Sequence, residues 1–137
     1  MPLTEIQARN SKPRERAYKM AGLTPSDINV TEIYDAFTVN PLMYLEDLGF
    51  CEKGQGGPFL MEGHTEPGGD LPLNTYGGLL SFGHTGDASG MSMIVEGALQ
   101  TMGRAGGRQV ENANITLVHS YGGMMAEHTT LILGRQS

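Results

Sequence analysis

An α/β fold, a layered mixed sheet with helices against it, is what this sequence predicts, and three observations carry the prediction. Helix-like and strand-like stretches alternate along the chain instead of segregating. The stretch from Met91 to Met102 repeats its apolar residues at a helical period. Two β-rich runs, "NITLVHS" and "HTTLILG", close the chain, and a final strand pair on an alternating α/β chain calls for a mixed sheet.

In order, Ser11 is positioned to cap a helix with Pro13 in its early turn, which runs through Ala17, Tyr18, Met20 and Ala21 and stops at Gly22. "TPSD" makes a turn, and "INVTEIYDAF" spaces Ile28, Val30 and Ile33 as a strand ending near Tyr34. Asn40 followed by Pro41 predicts a second helix with Leu42, Met43, Leu45 and Leu48 on its apolar face and Gly49 at its end. Cys51 to Leu73, rich in glycine and proline, is expected to be a long loop. "GGLLSFGHTG" is expected to be a short strand and a glycine turn. Beyond it Met91, Ile94, Val95, Ala98, Leu99 and Met102 are expected to form one buried helical face.

Composition narrows the function classes. The 137 residues suit one domain, and the 20 glycines, about twice the usual share, imply frequent tight turns and close backbone approaches. A net charge of −6 without a Lys/Arg cluster argues against a nucleic-acid or anionic-membrane surface. The single Cys51 excludes a disulfide within the chain and a cysteine-only zinc site supplied by it. No apolar run reaches the ~18 residues of a membrane span, and the first residues lack a signal-peptide core, so the expected location is the cytoplasm.

Three segments share one arrangement, an apolar stretch and then an abrupt turn bearing polar groups: "EIYDAF", "GGLLSFGHTG" and "VHSYGG". Loops at the carboxyl ends of strands converge on ligands in open α/β sheets, so the three are candidates for one pocket. His84, among five glycines in "NTYGGLLSFGHTGDASGM", is either a loop imidazole bonded to backbone or a group that exchanges a proton or activates a thiol. Tyr34 is either packed with its hydroxyl satisfied or a proton donor and acceptor. Asp35 either caps the following helix or orients a partner. His119 lies in an apolar strand, where a lone histidine is structural more often than chemical, but the paired glycines after it offer backbone amides. His64 and His128 have no matching partner, and a metal site is not expected.

These three blocks, in this order and across nearly the whole chain, resemble the carboxyl-terminal half of the thiolase superfamily, most of all its sterol-carrier and lipid-transfer-protein type. "AGLTPSDINVTEIYDAF" resembles the segment ending in that family's Asn-Glu-Ala-Phe or His-Asp-Cys-Phe signature; "NTYGGLLSFGHTGDASG" is similar to its Gly-His loop, and "HSYGG" to its closing Gly-Gly loop. The resemblance implies a βαβαβ-type thiolase half, with residues 1–13 an extension or truncated element and 14–137 the domain. It gives His84 the role of activating a cysteine thiolate and binding the thioester oxygen, Tyr34 and Asp35 the first two places of the signature, and His119 the place of an acid/base cysteine. Gly83, Gly122 and Gly123 become substrate-binding backbone. The nucleophilic cysteine belongs to the other half of such an enzyme, at a helix amino terminus, and Cys51 does not match it.

The departures from the family pattern bear on the reaction. Tyr34 stands for Asn or His, Ala36 for the cysteine of the sterol-carrier signature, Thr85 for a common proline, and His119 for the late cysteine. Both places for an acid/base cysteine are thus empty. The resemblance implies an enzyme making or breaking a carbon–carbon bond beside a coenzyme A thioester, by acyl transfer and thiolysis or by Tyr34-assisted retro-aldol cleavage of a β-hydroxyacyl-CoA. A non-catalytic scaffold or lipid-handling subunit is the other class. The implied substrate is a coenzyme A thioester, with no covalent cofactor. The implied partners are an amino-terminal half or companion thiolase-like chain and a small zinc-ribbon/OB-fold protein, in an oligomer.

Overall fold

The computed structural model describes residues 13–135. The expected cap at Ser11, and nearly all of the proposed extension, lie outside the described residues.

Residues 13–21 form helix α1, which ends at Gly22 in the left-handed region (φ 67). Its Tyr18 donates from Oη to the Leu48 carbonyl (3.2 Å), which fixes α1 to the end of the next helix. Strand β1 is Val30–Ile33, as the apolar spacing predicts. Helix α2 spans Val39–Asp47, two residues earlier than a cap at Asn40 with Pro41 as the first helical residue would place it. Asn40 lies inside its first turn, fully buried, and its Oδ1 accepts the Phe37 N–H (2.9 Å). Strands β2 (Ile115–Gly122) and β3 (Glu127–Gly134) pair antiparallel from Ile115–Gly134 to Gly122–Glu127. β1 lies parallel to β2, with Ile33 beside His119, so the sheet is mixed in the order β1-β2-β3.

Helices cover both faces. On one face Ile33 and Leu117 pack with Tyr18, Tyr44, Leu45 and Leu48 in the main core. On the other lies α5 (Ser89–Thr101), whose Gly97 comes so near the sheet that an added Cβ would sit 3.0 Å from Val118 and 3.2 Å from Thr116. Among the described residues no helix is long and apolar enough to cross a membrane.

Three expectations need correction. The stretch Cys51–Leu73 is not all loop, because Gly56–Met61 forms helix α3. Gly56 allows it: its N–H reaches Glu46 Oε1 (3.0 Å), and a Cβ there would lie 2.5 Å from the Leu42 carbonyl oxygen on α2. The expected strand before the glycine turn is instead helix α4, Gly78–Phe82. A carboxylate from far along the chain, Asp35, binds the N–H of Leu79 (2.6 Å), and charge at a helix amino terminus favours the helix over an extended run.

The third correction concerns α5. It exists where the period predicts, but it faces the other way: Met91, Val95 and Met102 are 60%, 50% and 61% exposed. Ser89, Met93, Glu96, Gly97 and Gln100 are buried, also at helical spacing. The polar members of that inner face are satisfied by hydrogen bonds, and Gly97 permits close approach to the sheet. The apolar stripe is left on the outside, along an open groove of about 610 Å³ between Phe82, Val95, Leu99 and Arg108.

Candidate active site

The carboxyl end of β1 is gripped from both edges. On one side the Tyr34 N–H donates to the His119 carbonyl oxygen (2.9 Å). On the other, Asn74, itself left-handed at φ 51, accepts the Ile33 N–H at Oδ1 (2.7 Å) and donates Nδ2 to the Ile33 carbonyl oxygen (2.9 Å). A side-chain amide thus substitutes for a neighbouring strand, and the chain leaves it with the Tyr34 ring directed into a cleft of about 440 Å³. Tyr34, Phe37, His84, Ser120, Tyr121 and Gly122 are among its lining.

Tyr34 and His84, fifty positions apart, meet there. Tyr34 Oη is 3.2 Å from His84 Nε2, and the rings stand edge to face at 5.6 Å. His84 Nδ1 accepts the Gly86 N–H (3.0 Å) and lies 3.1 Å from the Ser89 hydroxyl. Because an amide only donates, Nδ1 is the unprotonated nitrogen, and in the neutral ring the proton sits on Nε2, facing the phenol oxygen. Ser89 Oγ in turn accepts the Thr85 N–H (2.9 Å), so the first turn of α5 and its preceding loop set the ring's orientation and tautomer.

The other sequence candidates divide. Gly122 and Gly123 line the same cleft, whereas Gly83 adjoins His84 without being among the lining residues. Asp35, two atoms of main chain from Tyr34's carbonyl, turns inward. It is the amino-terminal partner of α4, not of the following helix, and Gly78 must lack a side chain because a Cβ would lie 2.2 Å from Asp35 Oδ2. His119 is 1% exposed and points into the core: Nδ1 pairs with Thr130 Oγ1 (2.9 Å), the ring lies 4.7 Å from Tyr44 and stacks with His128 at 5.6 Å. Burial, with a smaller contribution from His128, lowers its pKa to about 3, and Nε2 has no hydrogen-bond partner among the described residues. Its side chain is not brought to Tyr34 and His84; the next residue, Ser120, is.

Sequence reasoning passed over Ser89, Asn74 and Tyr121 as functional positions. Tyr121 lies inside "HSYGG", its ring 4.9 Å from Tyr34 and its hydroxyl donating to Asn40 Oδ1 (3.2 Å). Its place two residues after His119 was the available signal, since the cleft is built where the strand ends. Ser89 and Asn74 give no such signal, because their roles depend on which distant segment they meet. The free Cys51 packs against the core cluster, where burial raises its pKa, and is not among the cleft residues.

Comparison with known proteins agrees with this architecture. The family model described as thiolase C-terminal domain-like matches residues 2–135. An acetyl-CoA acetyltransferase of Methanothermobacter thermautotrophicus is 45% identical over 121 residues, covering 88% of this chain and 31% of that protein. Bovine sterol carrier protein 2 is 43% identical over 107 residues, 78% of this chain and 20% of that protein. A solved structure titled Ltp2-ChsH2(DUF35) aldolase superposes with a TM-score of 0.83 at 35% identity, over 92% of this chain and 31% of that one. The chain spans about a third or less of the length of these proteins. With its mixed α/β fold and a family match over nearly its whole length, the chain belongs to the thiolase C-terminal domain-like family.

Proposed function

We propose that this chain supplies the Tyr34–His84 pair to the active site of an enzyme that breaks a carbon–carbon bond beside a coenzyme A thioester, by retro-aldol cleavage of a β-hydroxyacyl-CoA. The observation that carries the reading is the 3.2 Å approach of the Tyr34 oxygen to His84 Nε2 at the wall of an open cleft whose lining, among the described residues, contains no thiol. Tyr34 Oη is the base that takes the proton from the β-hydroxyl. The oxygen's electrons form the new carbonyl, the Cα–Cβ bond breaks, and its electron pair moves through Cα onto the thioester oxygen as an enolate. Tyr34 then returns the proton to Cα, so the cycle closes without net proton change. His84, fixed by Gly86 and Ser89 with Nε2–H turned toward the reacting oxygens, offsets the negative charge.

A companion half belongs to this reading. The outward apolar stripe of α5, with Phe82 68% and Leu80 55% exposed nearby, supports a covering chain, because such a continuous apolar surface is unfavourable in water. That the relatives are about three times longer or more supports it as well. The second reading is acyl transfer, with a nucleophilic cysteine from that companion activated by His84; the 45% identity to an acetyltransferase favours it.

The test is to copurify the chain with its companion and assay both β-hydroxyacyl-CoA and β-ketoacyl-CoA. Consumption of the hydroxy substrate, lost in Tyr34→Phe, is expected. Consumption of the keto substrate alone, indifferent to Tyr34→Phe, establishes acyl transfer instead. Turnover of neither, by an intact assembly, leaves the scaffold class.

A further inference from the structure

Behind the cleft, two buried carboxyl groups share one hydroxyl. Glu32, two residues before Tyr34 on β1, is 0% exposed, and Glu96, on the inner face of α5, is 2% exposed. Thr75 Oγ1 lies between them, 2.9 Å from Glu32 Oε1 and 2.8 Å from Glu96 Oε1. A hydroxyl carries one proton, so Thr75 donates to one of the two oxygens. The other oxygen is then close to a lone pair unless it brings a proton of its own. Two carboxylates on this hydroxyl leave one short contact repulsive, in surroundings where an unpaired charge is costly.

The neighbours decide which group is ionised. Arg108 holds both oxygens of Glu96, Nε to Oε1 at 3.1 Å and Nη2 to Oε2 at 2.9 Å, the bidentate arrangement that suits a carboxylate. Gln100 Nε2 adds a contact to Glu96 Oε1 at 3.2 Å. Among the described residues Glu32 has no such cation in contact: Oε1 meets Thr75 alone, through hydroxyl and N–H (3.3 Å), and Oε2 has no partner.

We propose that Glu32 is a positioning residue held as a neutral carboxylic acid, donating its proton from Oε1 to Thr75, which donates to the Glu96 carboxylate. The resulting bridge, Glu32–Thr75–Glu96–Arg108, ties the strand that ends at Tyr34 to the helix whose first residue, Ser89, orients His84. It therefore fixes phenol and imidazole relative to each other from outside the cleft. The charge environment is consistent. Burial, assisted by Glu96 and Asp35 and opposed by the donating Thr75 N–H, pushes Glu32 up to about 8. Glu96, which burial alone would raise, is held below its ordinary value by Arg108, Thr75 and Gln100. The titratable and charged groups acting on Glu32 are Glu96 from α5, Asp35 from the end of β1, Tyr76 from the turn and Arg108 from the loop after α5.

Glutamine is the discriminating substitution, because its neutral amide places an N–H donor and a carbonyl acceptor where a neutral carboxylic acid has its O–H and C=O. In the copurified assembly, Glu32→Ala is expected to lower kcat at least about tenfold and Glu32→Gln to restore it to within about twofold of wild type, whereas Glu96→Gln behaves like Glu32→Ala. A carboxyl that is neutral when folded and ionised when unfolded makes stability fall as pH rises from about 4.5 to about 8. Above about pH 6.5, where His119 no longer opposes it, wild-type Tm should therefore show this decline up to about pH 8, Glu32→Gln should lack it, and infrared difference spectra at neutral pH should show a protonated-carboxyl band that Glu32→Gln removes. Tolerance of Glu96→Gln with loss in Glu32→Gln, an unchanged Tm slope in Glu32→Gln, or absence of the infrared band overturns the proposal. Only the turnover readout rests on the catalytic reading above. If the assembly turns over neither substrate, that reading fails, and the Tm slope and the infrared band still decide where the proton sits.

Discussion

Two imidazoles in this chain follow glycine-rich or apolar stretches of similar promise, yet they end in opposite surroundings. His84 stands exposed at a cleft, its Nδ1 committed to the Gly86 N–H and its Nε2 turned to Tyr34. His119 is enclosed among Tyr44, His128 and Thr130, with burial holding it neutral far below ordinary histidine pH. The difference comes from the backbone under each ring. A loop opened by Gly83 and Gly86, both at positive φ, can hand a side chain to solvent, whereas on a strand neighbouring side chains alternate between faces, and position 119 falls on the side of the main core. A motif match locates the segment; a side chain's face and its distance along the strand decide which members of it reach the cleft, as Ser120 and Tyr121 do and His119 does not.

Substitutions separate the two imidazoles and their surroundings. The largest effects belong to the cleft pair. Tyr34→Phe should lower turnover of the β-hydroxyacyl substrate by roughly 10³-fold and His84→Ala by roughly 10²-fold, measured as kcat in the copurified assembly and with little change in Tm. Next, Asp35→Ala should act on folding, not on chemistry. It removes a charged acceptor from the amino terminus of α4 and is expected to cost about 2 kcal/mol in chemical denaturation, with kcat falling only as far as the His84 loop loosens.

His119→Leu should leave kcat within about threefold of wild type, since the ring does not reach the cleft. Its signature is in the pH dependence of stability. With a folded pKa of about 3 against 6.5 unfolded, the neutral ring's contribution is complete above pH 6.5 and is lost as pH falls toward 3, because the unfolded chain takes up the proton first. The Tm difference between wild type and variant should therefore shift against wild type as pH falls from 7 to 4. The smallest effect is expected of Ser89→Ala, a loss of about threefold in kcat, because Gly86 still fixes the tautomer of His84.

What the sequence made legible were features that local chemistry dictates. The strand ending at Tyr34, the helix closed by Gly49 and the final hairpin follow from apolar spacing and turn residues, and the meeting of the turns after β1 and β2 follows from parallel strands presenting their ends on one side, whereas the His84 loop arrives there from helix α4. What it concealed depends on distant partners. Helix α4 exists through Asp35, which is 44 positions from Leu79, and α3 through the fit of Gly56 on α2. The inner face of α5 is unreadable from periodicity because Glu96 and Gln100 are buried by virtue of Thr75 and Arg108, while the apolar stripe that dominates the pattern is left outward. Burial of a polar residue is a property of its partners, and the partners come from two separate segments, the turn at Thr75 and the loop after α5.

A double-mutant cycle on turnover, comparing Tyr34→Phe, His84→Ala and the two combined in the copurified assembly, tests most directly whether phenol and imidazole serve one reaction. Two groups acting on the same reacting oxygens should be strongly coupled, with the double variant scarcely slower than the slower single one. Losses that simply multiply, or single variants that turn over at the wild-type rate, would contradict a shared site.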